Sequence, residues 1–250
     1  MMSKIKINKK CKILFTIPNF DTAGSGKALL NICKRIDKSF FQPYISCSHS
    51  KGNLFKEVIS SGIPYYLNQN QVNMKPRLKG LARCYHLSKF FKAINVDLIH
   101  SFHYGPDYSE ALAANIAGIP WIYTKKNMNW GGSSKNGWKL RSMLSSHIIL
   151  QNRDMQEMFF KRYRKISIVY RGVNTNEFYP MKKKTLFTKK YHILKNEVVI
   201  LSVANLSPIK GIDTLISSFK KLSKKYNFIR LFIVGNKESD YGRKIEELAR

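Results

Sequence analysis

Four short segments carry side chains whose types and spacing could do chemistry. The first is Phe20-Asp21-Thr22-Ala23-Gly24-Ser25-Gly26-Lys27. A glycine-rich turn into a helix exposes backbone N–H groups at the positive end of the helix dipole, where phosphate binds. It departs from the known nucleotide loops at Asp21, Ala28 and Leu29, so a tight turn that merely needs small residues explains it equally well. The second is the pair His100 and His103. Three residues apart on an extended strand they face opposite ways, and no Cys or carboxylate completes a ligand set, so no metal site is expected. His103 alone can be a cleft residue or a structural one. The third is Lys125-Lys126-Asn127, followed by Trp130-Gly131-Gly132-Ser133-Ser134, which suits an anionic ligand unless both lysines are simply solvated. The fourth is Asn205-Leu206-Ser207-Pro208-Ile209-Lys210-Gly211. Lys210 precedes a helix whose dipole favours an anion there, a conflict that a bound anion would remove.

The elements that must position these residues alternate. β-Branched runs at 12–17, 44–47, 64–67, 97–101, 121–124, 147–150 and 166–169 are separated by amphipathic stretches at 27–36, 54–60, 78–93 and 108–117. Gly118-Ile119-Pro120 is a helix stop feeding a strand. This is the pattern of βαβ units, hence an α/β protein with a parallel sheet. In that architecture the candidate segments follow strands and open on the carboxyl edge, where open α/β sheets bind ligands. The pattern breaks after Val169, and the lysine-rich stretch 181–196 reads as a basic linker between an N-terminal domain, 1–180, and a second unit, 197–250. The second unit offers strands at 198–203 and 229–234, a helix at 212–225 and another from near Tyr241. Two strands are half of an ordinary parallel sheet, so this domain is expected to be incomplete and the chain truncated.

Composition narrows the class of partner. Lys plus Arg number 44 against 15 Asp plus Glu, a formal charge of +29, and residues 1–180 hold 28 of the bases and 9 of the acids, so the excess is no mere tail. Such a charge attracts polyanions, whether nucleic acid, anionic lipid or phosphorylated small molecules. Hydrophobic residues at 44% supply a core and exclude wholesale disorder. The cysteines Cys11, Cys33, Cys47 and Cys84 form no CxxC pair and indicate a reducing compartment. The start, MMSKIKINKKCKILFTIP, has a basic stretch and a short apolar run, but the run leads into a Gly-rich loop and fits a buried first strand better than a leader. No apolar stretch approaches the ~20 residues of a membrane span.

Three segments, in order, resemble the GT-B glycosyltransferases, specifically family 4: DLIHSFHYGPDYSEALAANIAGIPWIYTKKN, then IVYRGVNTNEFYP, then ILSVANLSPIKGIDTLISSFKKL with LFIVG. The resemblance implies two Rossmann-like domains, the acceptor mainly on the first and the donor nucleotide mainly on the second, with transfer by retention and without a metal or other cofactor. Carried over by position, Gly24, Ser25 and Gly26 match the loop that approaches the donor diphosphate. Lys210 matches the lysine that neutralises the diphosphate as it leaves, and Gly235 matches the glycine ending a strand near the nucleotide. Lys126 falls near the position where the family contacts the donor sugar, and with Lys210 and the strand-end His103 it makes up the candidate catalytic set. Two positions depart from the pattern: Asn205 stands where Arg is common, and Lys126 lies near a common His. The expected activity is a hexosyltransferase-like transfer from a nucleotide-diphosphate sugar to a glycan or lipid-linked acceptor, in cell-envelope glycan synthesis. The expected location is the cytoplasm, peripheral at the anionic inner membrane face. A non-catalytic remnant completed by another chain and a basic nucleic-acid-binding module are the alternatives. The aromatic residues fall mostly in apolar runs rather than on a basic face, which speaks against specific nucleic-acid binding.

Overall fold

Every strand from 11 to 168 pairs in parallel with its neighbours, because each is followed by a helix that returns the chain to the same edge. The computed structural model describes residues 9–21, 23–129, 134–181 and 185–249. The chain divides into two compact units, Met1–Val173 and Asn174–Arg250.

In the first unit the elements are β1 (Cys11–Thr16), α1 (Ala23–Arg35), β2 (Phe41–Cys47), α2 (Asn53–Ser60), β3 (Tyr65–Leu67), α3 (Arg77–Ala93) and β4 (Leu98–Ser101). They continue through α4 (Ser109–Ala117), β5 (Trp121–Lys125), α5 (Lys135–Leu144), β6 (His147–Leu150), α6 (Arg153–Phe159) and β7 (Ile166–Ile168). The sheet order is β3-β2-β1-β4-β5-β6-β7, a Rossmann-like arrangement whose direction of growth reverses between β1 and β4.

Strand β1 explains why helices cover both faces. Its alternation sends Ile13 and Phe15 into one cluster with Leu29, Leu30 and Cys33 of α1, and Leu14 into the other with Phe91, Ala111 and Trp121. Helix α4 ends as expected: Gly118, at φ 74, caps it and Pro120 follows. Helices α5 and α6 were not evident from periodicity; Ser134 and Asn152 cap them, accepting bonds from Gly137 N at 3.0 Å and Met155 N at 2.9 Å. Residues 130–133, within the segment named above as suiting an anionic ligand, lie outside the described residues.

The second unit holds α7 (Thr185–Lys190), β8 (Val198–Val203), a 3₁₀ turn (Pro208–Lys210), α8 (Ile212–Ser223), β9 (Ile229–Val234) and α9 (Asp240–Ala249). β8 and β9 are parallel, and Ile212, Ile216 and Ile245 form the core under them. The structure departs from the expected linker. Within 181–196, α7 places Phe187 against Phe232, and Tyr191 packs on the same ring at 5.2 Å. Phe187 and Tyr191 stand four apart, one helical turn, and the surrounding lysines masked that pattern. Among the described residues no helix is long and apolar enough to cross a membrane.

Leu14 is fully buried between strand and helices, whereas Leu78 at the start of α3 is 83% exposed. Leu14→Ala should lower the unfolding free energy by about 3 kcal/mol in urea denaturation. Leu78→Ala should change it by less than about 0.5 kcal/mol.

Candidate functional site

The reversal of sheet order opens a crevice between the ends of β1 and β4, and register determines what stands there. Thr16 pairs with Ser101 across those strands, so both hydroxyls reach one carboxylate on α4. Thr16 Oγ1 donates to Glu110 Oε1, and Ser101 Oγ donates to Glu110 Oε2 at 2.6 Å. Burial pushes the Glu110 carboxyl up to about 7, against the pull of those hydroxyls and of Arg141.

Arg141, on α5, is fully buried. Its Nη1 donates to Asp107 O at 2.7 Å, and its Nη2 to His103 O at 3.4 Å and Ser101 Oγ at 3.5 Å. The guanidinium lies 4.9 Å from the ring centres of both Trp121 and Tyr123. It therefore fastens the whole 101–107 segment by its backbone. Neither Arg141 nor the α5 helix that carries it is signalled by the sequence motifs. The nearest cue is Ser134 as a helix cap.

His103 is carried on that segment. It is 5% exposed, and neither ring nitrogen has a hydrogen-bond partner among the described residues. Burial, then the charges of Arg141 and Lys126, hold it well below the usual histidine range, so the imidazole is neutral. His100 differs: its Nε2 is bonded to Thr124 Oγ1 at 2.8 Å and its ring packs on Phe15 and Phe102. The two histidines thus have separate surroundings, and among the described residues no group of three or more His, Cys, Asp or Glu could hold a metal.

The two lysines at the end of β5, Lys125 its last residue and Lys126 the next, behave differently from a solvated pair. Lys125 is 2% exposed and donates to Asn127 O and Asn129 O, clamping its own loop, with its ammonium 4.5 Å from the Phe159 ring. Lys126 donates to Phe102 O and sits 3.4 Å above the Tyr104 ring. Burial, and then Arg171 and Arg141, push Lys126 down to about 6, so its amine is largely uncharged at neutral pH. A pocket lined by His103, Tyr104, Lys126, Asn127, Asn129 and Trp138, among others, opens here.

Gly24, Ser25 and Gly26 lie within the first turn of α1 rather than in a loop before it. Ser25 Oγ is bonded to Tyr104 OH, which joins this turn to the pocket. A Cβ on Gly26 would come within 2.8 Å of Leu54 Cδ2 and 2.9 Å of Phe20 Cδ1, so close packing requires that glycine. Around Gly24 there is open space.

The remaining expected residues belong to the second unit. Asn205, Lys210 and Gly235 follow the carboxyl ends of β8 and β9, where Ala204 N donates to Val234 O at 3.0 Å. A Cβ on Gly235 would strike Ala204 O and come within 2.8 Å of Leu206 Cγ. Lys210 is exposed at the end of the 3₁₀ turn, followed by Gly211 as the N-cap of α8, and Asp213 already answers that helix's dipole. The electrostatic conflict expected at Lys210 is therefore largely relieved within the fold itself.

The raised Glu110 carboxyl has a stability consequence with a definite sign. The folded state holds its proton more tightly than the unfolded chain, whose carboxyl is near 4.5. Its contribution is therefore complete below about 4.5 and is lost as pH rises through about 7. Stability of the wild type relative to Glu110→Gln should fall across that window when urea midpoints are compared at several pH values. A constant difference would mean that Glu110 titrates normally.

Comparison with known proteins places the chain. Residues 22–177 match the family model Glycosyltransferase Family 4, and residues 183–250 match Glycosyl transferases group 1. A glycosyltransferase from Rickettsia africae ESF-5 superposes with a TM-score of 0.75 at 20% identity, covering 96% of this chain and 65% of that one. The HepE protein of Anabaena, in complex with UDP and glucose, gives 0.69 at 19% identity, covering 95% of this chain and 65% of that one. MurG of Acinetobacter baumannii gives 0.57 at 14% identity, covering 96% and 64%. This chain thus spans about 65% of the length of its first structural relatives. No curated protein matches it in sequence. The likeness to solved structures, all at or below 20% identity here, is one of fold: GT-B-like, α/β, with a seven-stranded parallel sheet in the first unit. With the first model matched over more than half of its residues, the chain belongs to Glycosyltransferase Family 4.

Proposed function

We propose that the chain takes part in transferring a hexose, with retention, from a nucleotide-diphosphate sugar to a glycan or lipid-linked acceptor at the cytoplasmic face of an anionic membrane. The observation that carries this reading is His103: a neutral, buried imidazole with both nitrogens unpartnered among the described residues, at the wall of a pocket on the ligand-binding edge of the sheet. Sugar hydroxyls, which both donate and accept, would satisfy it. Family membership and the HepE structure with UDP and glucose support a nucleotide-sugar donor.

Each residue has a stated task in this reading. Lys126, uncharged at neutral pH, offers a lone pair as well as N–H donors, and so replaces the histidine common near this position in the family. Lys210 and the N-terminus of α8, on the second unit, supply positive charge to the diphosphate as it leaves, with Asn205 and Gly235 on the same strand edge. On the first unit, the amides of Gly24, Ser25 and Gly26 at the start of α1 offer N–H donors to a phosphate. No cofactor or metal is assigned a part.

The test is transfer, or hydrolysis of UDP-glucose, by the purified 250-residue chain. Lys210→Ala should lower the rate by about 100-fold or more, the scale of losing a group that stabilises transition-state charge. Wild-type activity should fall as pH drops below about 6, where Lys126 takes up a proton. Lys126→His should keep most of the rate at neutral pH, and Lys126→Arg, permanently charged, should lose it. Product of inverted anomeric configuration, read by NMR, would remove retention from the account. Equal activity in Lys126→Arg would remove the neutral-amine role.

A further inference from the structure

Helix α3 has two apolar faces, and only one is used. Gly80, Cys84, Leu87 and Phe91 pack inward. On the opposite side Leu78 is 83% exposed, Leu81 48% and Tyr85 53%. At spacings of three and four these form one continuous stripe. An ordinary surface helix turns a polar side to water.

The charged residues flanking the stripe along the chain are all basic. Lys75, Arg77, Lys79, Lys89 and Lys92 are exposed around it, and no acidic residue occurs between Glu57 and Asp97. The Lys89 ammonium lies 4.7 Å from the Tyr85 ring. Arg83 Nη1 donates to Asn73 O at 2.7 Å and Lys75 O at 3.1 Å, binding the preceding loop to the helix, so Lys75 is held beside the stripe. Leucines with a tyrosine, flanked by long cationic side chains, match a lipid interface. The apolar groups enter the acyl boundary, the ring sits at headgroup depth, and the lysine stems reach back to phosphate. A nucleic acid would reward the charges but leave Leu78 and Leu81 facing phosphate.

We infer that the solvent face of α3 is a docking surface for an anionic lipid bilayer, with the helix lying in the plane of the interface. This deepens the proposed function and rests on it only for its purpose, since vesicle binding requires no transfer. Position gives the purpose. Val72 N, in the loop before α3, donates to Ser109 Oγ at 2.9 Å, and Ser109 opens α4 just after the segment that bears His103. The Leu78 end of the stripe is therefore the end nearer the pocket, where an acceptor held in the membrane would have to arrive.

Co-sedimentation of the full chain with vesicles tests it, using phosphatidylcholine alone and phosphatidylcholine with about one-third phosphatidylglycerol. The wild type should bind the anionic vesicles at least about tenfold more tightly than the neutral ones. The triple variant Leu78→Ser, Leu81→Ser, Tyr85→Ser should weaken that binding by about tenfold or more, and so should Arg77→Glu with Lys79→Glu. Lys220→Glu with Lys221→Glu on α8, an equal change of charge elsewhere, should alter it by less than about twofold. All substituted side chains are exposed, and circular dichroism confirms folding before binding is read. If the wild type binds and both α3 variants match it, this face is overturned while membrane association survives. If the wild type ignores both vesicles, the membrane reading falls with it, yet transfer to a soluble acceptor would remain measurable. Self-association without lipid that the triple variant abolishes would assign the face to a second copy and overturn the proposal, as would tight DNA binding lost in the same variants.

Discussion

The first unit's site depends on one buried cation. Arg141 stands in the interior, stacked on Trp121 and Tyr123, with its hydrogen bonds to the backbone at 103 and 107 and to the Ser101 hydroxyl. Ser101 is shared, since it also donates to Glu110, so strand β4, helix α4 and helix α5 meet at one hydroxyl. Removing a partner from such a network leaves a buried group unsatisfied, at a cost of about 1–3 kcal/mol. The segment from Ser101 to Asp107 is for that reason held as a rigid shelf, and His103 and Tyr104 ride on it. Pre-organisation of this kind is what a site must have before its chemistry matters.

The consequence is a pocket in which His103 and the Lys126 amine are neutral at pH 7, in a chain of +29. Burial lowers both Lys125 and Lys126, and it keeps His103 neutral. The formal positive charge is carried by exposed lysines and arginines, α3 among the places where it gathers, and these act on large anions at a distance. The two needs of the proposed reaction, neutral recognition of hydroxyls and attraction to an anionic surface, are met by separate parts of the first unit.

Much of this was legible from residue order alone. Parallel strands, the helix stop at Gly118 and the placement of His103 and Lys126 on the carboxyl edge follow from hydrophobic alternation and strand-end logic, and the structure agrees at each. What escaped is instructive in physical terms. Arg141 and Glu110 matter only because β1 and β4 pair in a register that sets Thr16 beside Ser101, and pairing register is not local information. Helix α7 is hard to see in the sequence because lysines on both sides of Phe187 and Tyr191 dilute their helical spacing. The glycines at 24 and 26 resemble each other in sequence, yet only Gly26 is required by packing. The lysine pair at the end of β5 is uniform in sequence, and both members line the pocket, but Lys125 clamps its own loop whereas Lys126 bonds to Phe102 O on the neighbouring segment.

The proposed function turns on a neutral His103 imidazole whose nitrogens have no partner among the described residues and would meet sugar hydroxyls. Nitrogen-15 NMR of the histidine side chains, followed from about pH 8 to about pH 5 with and without UDP-glucose, measures it directly. The account predicts that the His103 ring stays neutral throughout and that its nitrogen shifts move on adding UDP-glucose but not UDP alone. A ring that titrates near 6.5 and is indifferent to the sugar would contradict it.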